Sequence, residues 1–155
     1  MNLKEKTIKK IKERGVDLDQ IILLIWKLQK KYRPTLTKRQ CSDALNKVLS
    51  KREVCHAILT GIAIDENVEK KRFSKEINSI INKDEGLYGI DEILALSIVN
   101  VYGSIAFTNF GYLDKLKPGI IGEIDKKGKG KNCHTFLDDL ICALVASSCA
   151  KIAHQ

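Results

Sequence analysis

The chain has 155 residues, 44% of them hydrophobic and 30% charged, and 27 Lys and Arg against 19 Asp and Glu leave a net charge of +8. That much apolar material builds one core and a single domain over 1–155, and excludes a disordered or collagen-like chain. The cysteines, Cys41, Cys55, Cys133, Cys142 and Cys149, are odd in number and form no CxxC pair, which excludes a zinc cage or disulfide framework and predicts a reducing cytoplasm.

The first predicted element is a short basic helix from Leu3 to Arg14, fraying before Gly15, with too many charges in 1–15 for a secretory leader. A second helix starts at Asp17, with Gln20 closing a capping box. It carries Leu18, Ile21, Ile22, Ile25, Leu28 and Tyr32 at helical spacing until Pro34 stops it. Thr37 with Gln40 opens a third, whose apolar face is Cys41, Ala44, Leu45, Val48 and Leu49. Ser50 with Glu53 repeats the capping pattern and starts a fourth, through Val54, Ala57, Ile58 and Ile62 to about Asp65. Short helical pieces follow over 66–82. No stretch alternates with period 2 for long enough to need a strand, so the fold class is all-α, a single-domain helical bundle.

Residues 93–113 carry no charge. About 20 apolar residues span a bilayer, but Asn100, Ser104, Thr108 and Asn109 dilute this run and no second one accompanies it. It reads as the central helix of the bundle, about 90–107, apolar nearly all round because other helices surround it. Turn chemistry follows at Lys117-Pro118-Gly119, and 125–131 reads as a flexible basic loop. A last helix starts near Thr135 and ends around Ala153, with Cys142 and Cys149 as small core residues.

Charge divides the chain unevenly: 1–90 hold 20 basic against 12 acidic residues, and 91–155 hold 7 of each. The basic half suits anionic lipid or phosphorylated ligands as a peripheral contact at the inner face of a membrane. It carries no aromatic-studded stripe, so nucleic acid is not expected as a partner. Broad apolar helix faces allow a homo-oligomer.

Acidic residues border the least charged segments: Asp91-Glu92, Asp114 and Asp138-Asp139. Acids in a helix's first turn complement its dipole by ~0.3–1 kcal/mol, which accounts for either pair singly. The doubling is harder to account for. Neighbouring helix residues diverge by about 100°, so one member of each pair turns toward the core, where an unpaired carboxylate is expensive. A shared divalent cation relieves that cost, and oxygen-only ligands select Mg2+ over zinc.

Lys83-Asp84-Glu85-Gly86-Leu87-Tyr88-Gly89-Ile90-Asp91-Glu92 resembles the K-D-x-x-x-[IV]-[VG]-x-D-E motif of the phosphatidylglycerophosphatase A family. Asp114-Lys115-Leu116-Lys117-Pro118 is similar to that family's D-x-x-K-P. Phe136-Leu137-Asp138-Asp139-Leu140-Ile141-Cys142-Ala143 is similar to its D-D-[IL]-x-A helix start. The resemblance covers 83–146 and implies Mg2+-dependent hydrolysis of the terminal phosphate of phosphatidylglycerophosphate or a related small phosphate ester, within glycerophospholipid metabolism. It departs from the family at three places. Arg33-Pro34-Thr35-Leu36-Thr37 stands where membrane-embedded members carry Pro-Gly-Thr-x-Gly-Ser, Gly111 replaces an Arg, and His134 replaces a Gly. With these departures the chain resembles the soluble, bacterial branch of the family.

The resemblance implies that Asp91, Glu92, Asp114, Asp138 and Asp139 act in catalysis and hold the metal, directly or through water, while Lys117 neutralises phosphate oxygens and Pro118 fixes its turn. An aspartyl nucleophile and a metal-activated water are both open routes. Asp84 matches the motif and also suits a turn, and His134 is a candidate acid for the leaving alkoxide or a cap neighbour. One cation and one phosphate require these residues in one cleft, with a helix break near Gly103 or 109–111 returning Asp114 to Asp91 and two helix N-termini facing the phosphate. The rival class is a non-catalytic module binding anionic lipid or a partner on the same scaffold.

Overall fold

In the computed structural model, which describes residues 1–155, the chain forms nine helices and no strand. They are α1 (Leu3–Glu13), α2 (Leu18–Gln29), α3 (Lys38–Leu49), α4 (Arg52–Glu69), α5 (Lys75–Asn82), α6 (Ile90–Val99), α7 (Ser104–Leu116), α8 (Ile120–Lys127) and α9 (Leu137–Ala153). No helix is long and apolar enough to cross a membrane.

Thr37 and Gln40 form the expected reciprocal cap of α3. Asp17 caps α2 through the Asp19 N–H, so Gln20 closes no box. The Ser50–Glu53 box does not form either. Ser50 ends α3, its hydroxyl donating to the Asn46 carbonyl at 2.7 Å, and α4 starts from Lys51 without a side-chain cap. A serine that bonds four residues back is lost to the next helix start. α4 continues past Asp65 to Glu69. The first part of the expected basic loop is helical to Lys127, because Ile120, Ile121 and Ile124 bury one face of α8.

The central element is not 90–107 but α9. Fifteen of its 17 residues are buried, and α2, α3, α4, α6, α7 and α8 all pack against it. Its second half is rich in Ala143, Ala146, Ser147, Ser148, Cys149 and Ala150, which let neighbouring helices approach closely. The charge-free run is broken at Gly103, the first of the two expected break points, whose φ of 85° and ψ of −163° are open in practice only to glycine. α6 and α7 therefore fold back as two shorter helices against α9. Ala95, Ile98, Val99, Ala106, Phe110 and Leu113 face the core, while Ile90, Ile93, Ile105, Phe107, Tyr112 and Leu116 are exposed. Absence of charge did not mean burial on all sides.

A carboxylate that the apolar periodicity of α4 passes over sets where α9 begins. Asp65 is fully buried and accepts the Phe136 N–H at 3.0 Å and the Leu137 N–H at 2.9 Å. One turn on, Glu69 pairs with Arg14, just past the end of α1, through two bonds of 2.9 and 2.7 Å and accepts the Cys133 N–H at 2.7 Å. Arg14 is thereby tied down rather than frayed. Gly61, a turn before Asp65, allows the close crossing: a Cβ there would lie 2.5 Å from Leu140 Cδ1 and 3.3 Å from Phe136 Cβ.

Burial pushes the Asp65 carboxyl up to about 7, partly offset by the two backbone donors. Asp65→Ala, which orphans both N–H groups, is expected to cost about 2 kcal/mol in denaturant unfolding. The native chain holds the Asp65 proton where the unfolded chain has released it, so this group's share of stability falls as pH rises from about 4 to about 7. Asp65→Asn keeps an acceptor and should lack that slope; equal slopes in both proteins would contradict the assignment.

Candidate functional site

The Gly103 break and the buried start of α9 bring the acidic residues of three segments together. Asp91 and Glu92 stand on the first turn of α6, Asp114 on the last turn of α7, and Asp138 and Asp139 on the first turn of α9. With Asp84 and Lys117 they line one cleft of about 200 Å3 that has no apolar side chain in its wall. A slightly larger groove of about 260 Å3 between α2 and α7 contains no acidic residue. His134 does not reach the carboxylate cleft; its Nδ1 is 2.8 Å from the Ile124 carbonyl, in a neighbouring hollow.

Lys117 is the cation within this cleft. Its Nζ donates to Asp114 Oδ1 at 3.2 Å and to Asp138 Oδ2 at 3.0 Å. Burial works against its charge, but the Asp138 and Asp114 carboxylates outweigh it and raise the pKa. Two backbone features aim it there. Lys117 adopts φ 47°, in the left-handed region, and closes α7 with its N–H on the Leu113 carbonyl. Gly122 lies so close beneath that a Cβ would stand 2.6 Å from the Lys117 carbonyl oxygen.

Asp138 and Asp139 are both buried, at 3% exposure. Burial pushes both carboxyls up, and Lys117 pulls Asp138 part of the way back. Nothing does so for Asp139, which is raised by burial, by Asp138, and by the Asp91 and Asp114 carboxyls within hydrogen-bonding reach. No N–H group donates to Asp139, and Glu92 is raised by burial and then by Asp114 and Asp91. The site is short of positive charge. Its donors are hard oxygens, the set a small divalent cation takes, so the residues present suit Mg2+. No three of them are close enough together to grip an ion in this arrangement.

The two helix starts differ from expectation. The Phe136 and Leu137 N–H groups at α9 are spent on Asp65 and do not face the cleft. α6 has no side-chain cap, and Gly89, Asp91 and Glu92 line the cleft there. The segment Arg33–Thr37 lies at the other end of α9, where Arg33 donates to the Ile152 carbonyl at 3.1 Å. Asp65 and Glu69 were missed by sequence reasoning, although an acid within the apolar stripe of α4 was a visible signal.

Lys117→Met should lower stability by about 2 kcal/mol at pH 8, because Asp138 loses its counter-charge in a site only partly screened by water. Thermal melts should show a smaller loss at pH 5, where the raised carboxyls take up protons. A loss independent of pH would assign Lys117 a packing role instead.

The protein YutG of Bacillus subtilis is 49% identical over 153 residues, 99% of this chain and 92% of that protein. The crystal structure of the low temperature requirement C protein of Listeria monocytogenes superposes with a TM-score of 0.94 at 49% identity, covering 99% of this chain and 96% of the other. A protein from Bacillus stearothermophilus does so with a TM-score of 0.93 at 51% identity and the same coverage. The family model described as phosphatidylglycerophosphatase A matches residues 18–154, which take in all three acidic segments, Lys117 and Asp65; the chain belongs to that family.

Proposed function

We propose that the protein is a Mg2+-dependent phosphatase that removes the terminal phosphate of phosphatidylglycerophosphate or a closely related phosphate monoester. The observation that carries this reading is the convergence of Asp91, Glu92, Asp114, Asp138 and Asp139 with one lysine in a polar cleft. A purely structural use of acids at helix starts requires no such meeting, and a binder of anions gains nothing from five carboxylates.

Asp91, Asp114, Asp138 and Asp139 would hold the metal, with Glu92 at the more exposed edge. When bound, Mg2+ supplies the positive charge that lets a phosphate enter and that stabilises the transferring phosphoryl group. Lys117, freed from part of its pairing with Asp114 and Asp138, neutralises a phosphate oxygen as a point charge. A carboxylate orients the attacking water and takes its proton. The oxygen of water bonds to phosphorus as the bond from phosphorus to the glycerol oxygen breaks, and the proton held by the carboxylate passes to the glycerol oxygen, leaving alcohol and inorganic phosphate. Leu87, Ile90 and Ile93 are exposed and stand next in sequence to the cleft-lining Gly86, Gly89 and Glu92.

Phosphate release from phosphatidylglycerophosphate in mixed micelles should require Mg2+, stop with EDTA and return on adding Mg2+. Asp138→Asn and Asp139→Asn should each lower it at least about a hundredfold while the melting transition persists, since Asp65 and not these residues holds the helix start. Variants that lose stability but keep turnover would reduce the acids to helix-dipole partners. Folded wild type that releases no phosphate from lipid or soluble esters would favour the non-catalytic module.

A further inference from the structure

A second polar cleft of about 250 Å3 adjoins the first and also has no apolar side chain in its wall. The α5–α6 loop joins the two. Lys83 lines the second cleft, Asp84 lines both, and Glu85 lines the first. The chain turns sharply there: Asp84 takes φ 51°, with its N–H on the Ile81 carbonyl and the Glu85 N–H on the Ile80 carbonyl. A non-glycine residue in this conformation is strained.

The opposite wall comes from the loop between α8 and α9. His134 is buried, at 8% exposure, and Gly128 makes room for it, since a Cβ at 128 would lie 2.6 Å from His134 Cβ. Its Nδ1 faces the Ile124 carbonyl, which only accepts, so Nδ1 carries the hydrogen. Nε2 makes no hydrogen bond and is left as an acceptor; burial lowers the pKa and keeps the ring neutral. The cleft thus presents two ammonium groups, Lys83 and Lys129, beside three acceptors, His134 Nε2 and the Asp84 and Asp125 carboxylates. An inorganic anion alone would satisfy only the lysines. A phosphate carrying a hydroxylated carbon chain satisfies both sets.

We infer that this second cleft binds the inner diester phosphate and the glycerol hydroxyl of a substrate with two phosphates, Lys83 and Lys129 holding the anion and His134 Nε2 with Asp125 accepting from the hydroxyl. The inference rests on the phosphatase reading for the adjoining cleft and deepens it. The glycerol passes Asp84, and its terminal phosphate enters among the carboxylates. Selectivity for a monoester borne on a phosphorylated glycerol, over a simple monoester, then lies in residues that take no part in the chemistry.

Two short-chain lipids test this by steady-state kinetics: dihexanoyl phosphatidylglycerophosphate, with two phosphates, and dihexanoyl phosphatidate, with one. In the Lys83→Ala/Lys129→Ala double variant, the ratio of kcat/KM for the first over the second should fall about tenfold, chiefly through KM. His134→Asn, whose amide can still donate to Ile124 but lacks Nε2, should shift the ratio in the same direction. An unchanged ratio in both variants overturns the inference. Calorimetric binding of glycerophosphoglycerol, which has the diester phosphate and hydroxyls but no terminal phosphate, reads the second cleft without the reaction. Wild type should bind it, and the double variant at least about tenfold more weakly. Equal binding, or none by wild type, overturns the inference even if phosphatase activity stands. Binding that is lost in the double variant supports it even if wild type hydrolyses neither lipid, a result that would fail only the phosphatase reading.

Discussion

Two backbone N–H groups, of Phe136 and Leu137, meet one buried carboxylate, Asp65, and the placing of Asp138 and Asp139, around which the other carboxylates gather, follows from that meeting. A helix as buried as α9 cannot leave its first N–H groups without partners, because no water reaches them. Asp65 supplies the acceptors from α4, and Glu69 with Arg14 holds the segment immediately before. Asp138 and Asp139 are thereby relieved of capping duty. They emerge one and two residues after a fixed point, on the side of α9 that meets α6 and α7.

That freedom is what turns an acidic pair into a site. Acids at a helix start ordinarily face solvent and add a modest dipole interaction. Here both are buried against further carboxylates from two other helices, with a single lysine between Asp114 and Asp138. Such an arrangement is electrostatically unfavourable in isolation, and its raised carboxyl pKa values record the cost. Concentrated, unbalanced charge on oxygen donors is also what a small divalent cation and a phosphate together require. The mutual repulsion of these carboxylates and their fitness for that chemistry have one cause.

Backbone strain is gathered in the same place. Three non-glycine residues adopt positive φ, and two of them, Asp84 and Lys117, line the carboxylate cleft. Each sits where a helix ends and a chain reversal must deliver a particular side chain. Gly103 and Gly122 serve the same end from outside the cleft, one by breaking a helix and the other by making room beneath the Lys117 turn. The cleft is held by turns fixed in conformations that ordinary residues avoid, set on a scaffold of buried helices.

Much of this was legible from local chemistry. The all-α class, the reciprocal cap at Thr37, the acidic segments and the lysine before Pro118 are carried by residues within a few positions of one another, and short-range spacing and motif order suffice to read them. Burial was not legible in the same way. The charge-free run 93–113 predicted a central helix, yet beyond the expected break at Gly103 one face of each half is exposed, while α9, with an acid pair at its start and a lysine in its last turn, is the element surrounded by others. Composition counts the charges on a segment but does not say which faces other segments cover. The Asp65 cap spans 71 positions and the Lys117–Asp138 pair 21, so neither leaves a periodic trace in the sequence near its partner. The sequence by itself determined which groups were available and which helices they begin or end; only the packing of α4, α6 and α7 onto α9 decided that the carboxylates share one cleft, because only tertiary structure brings together charges that would otherwise repel.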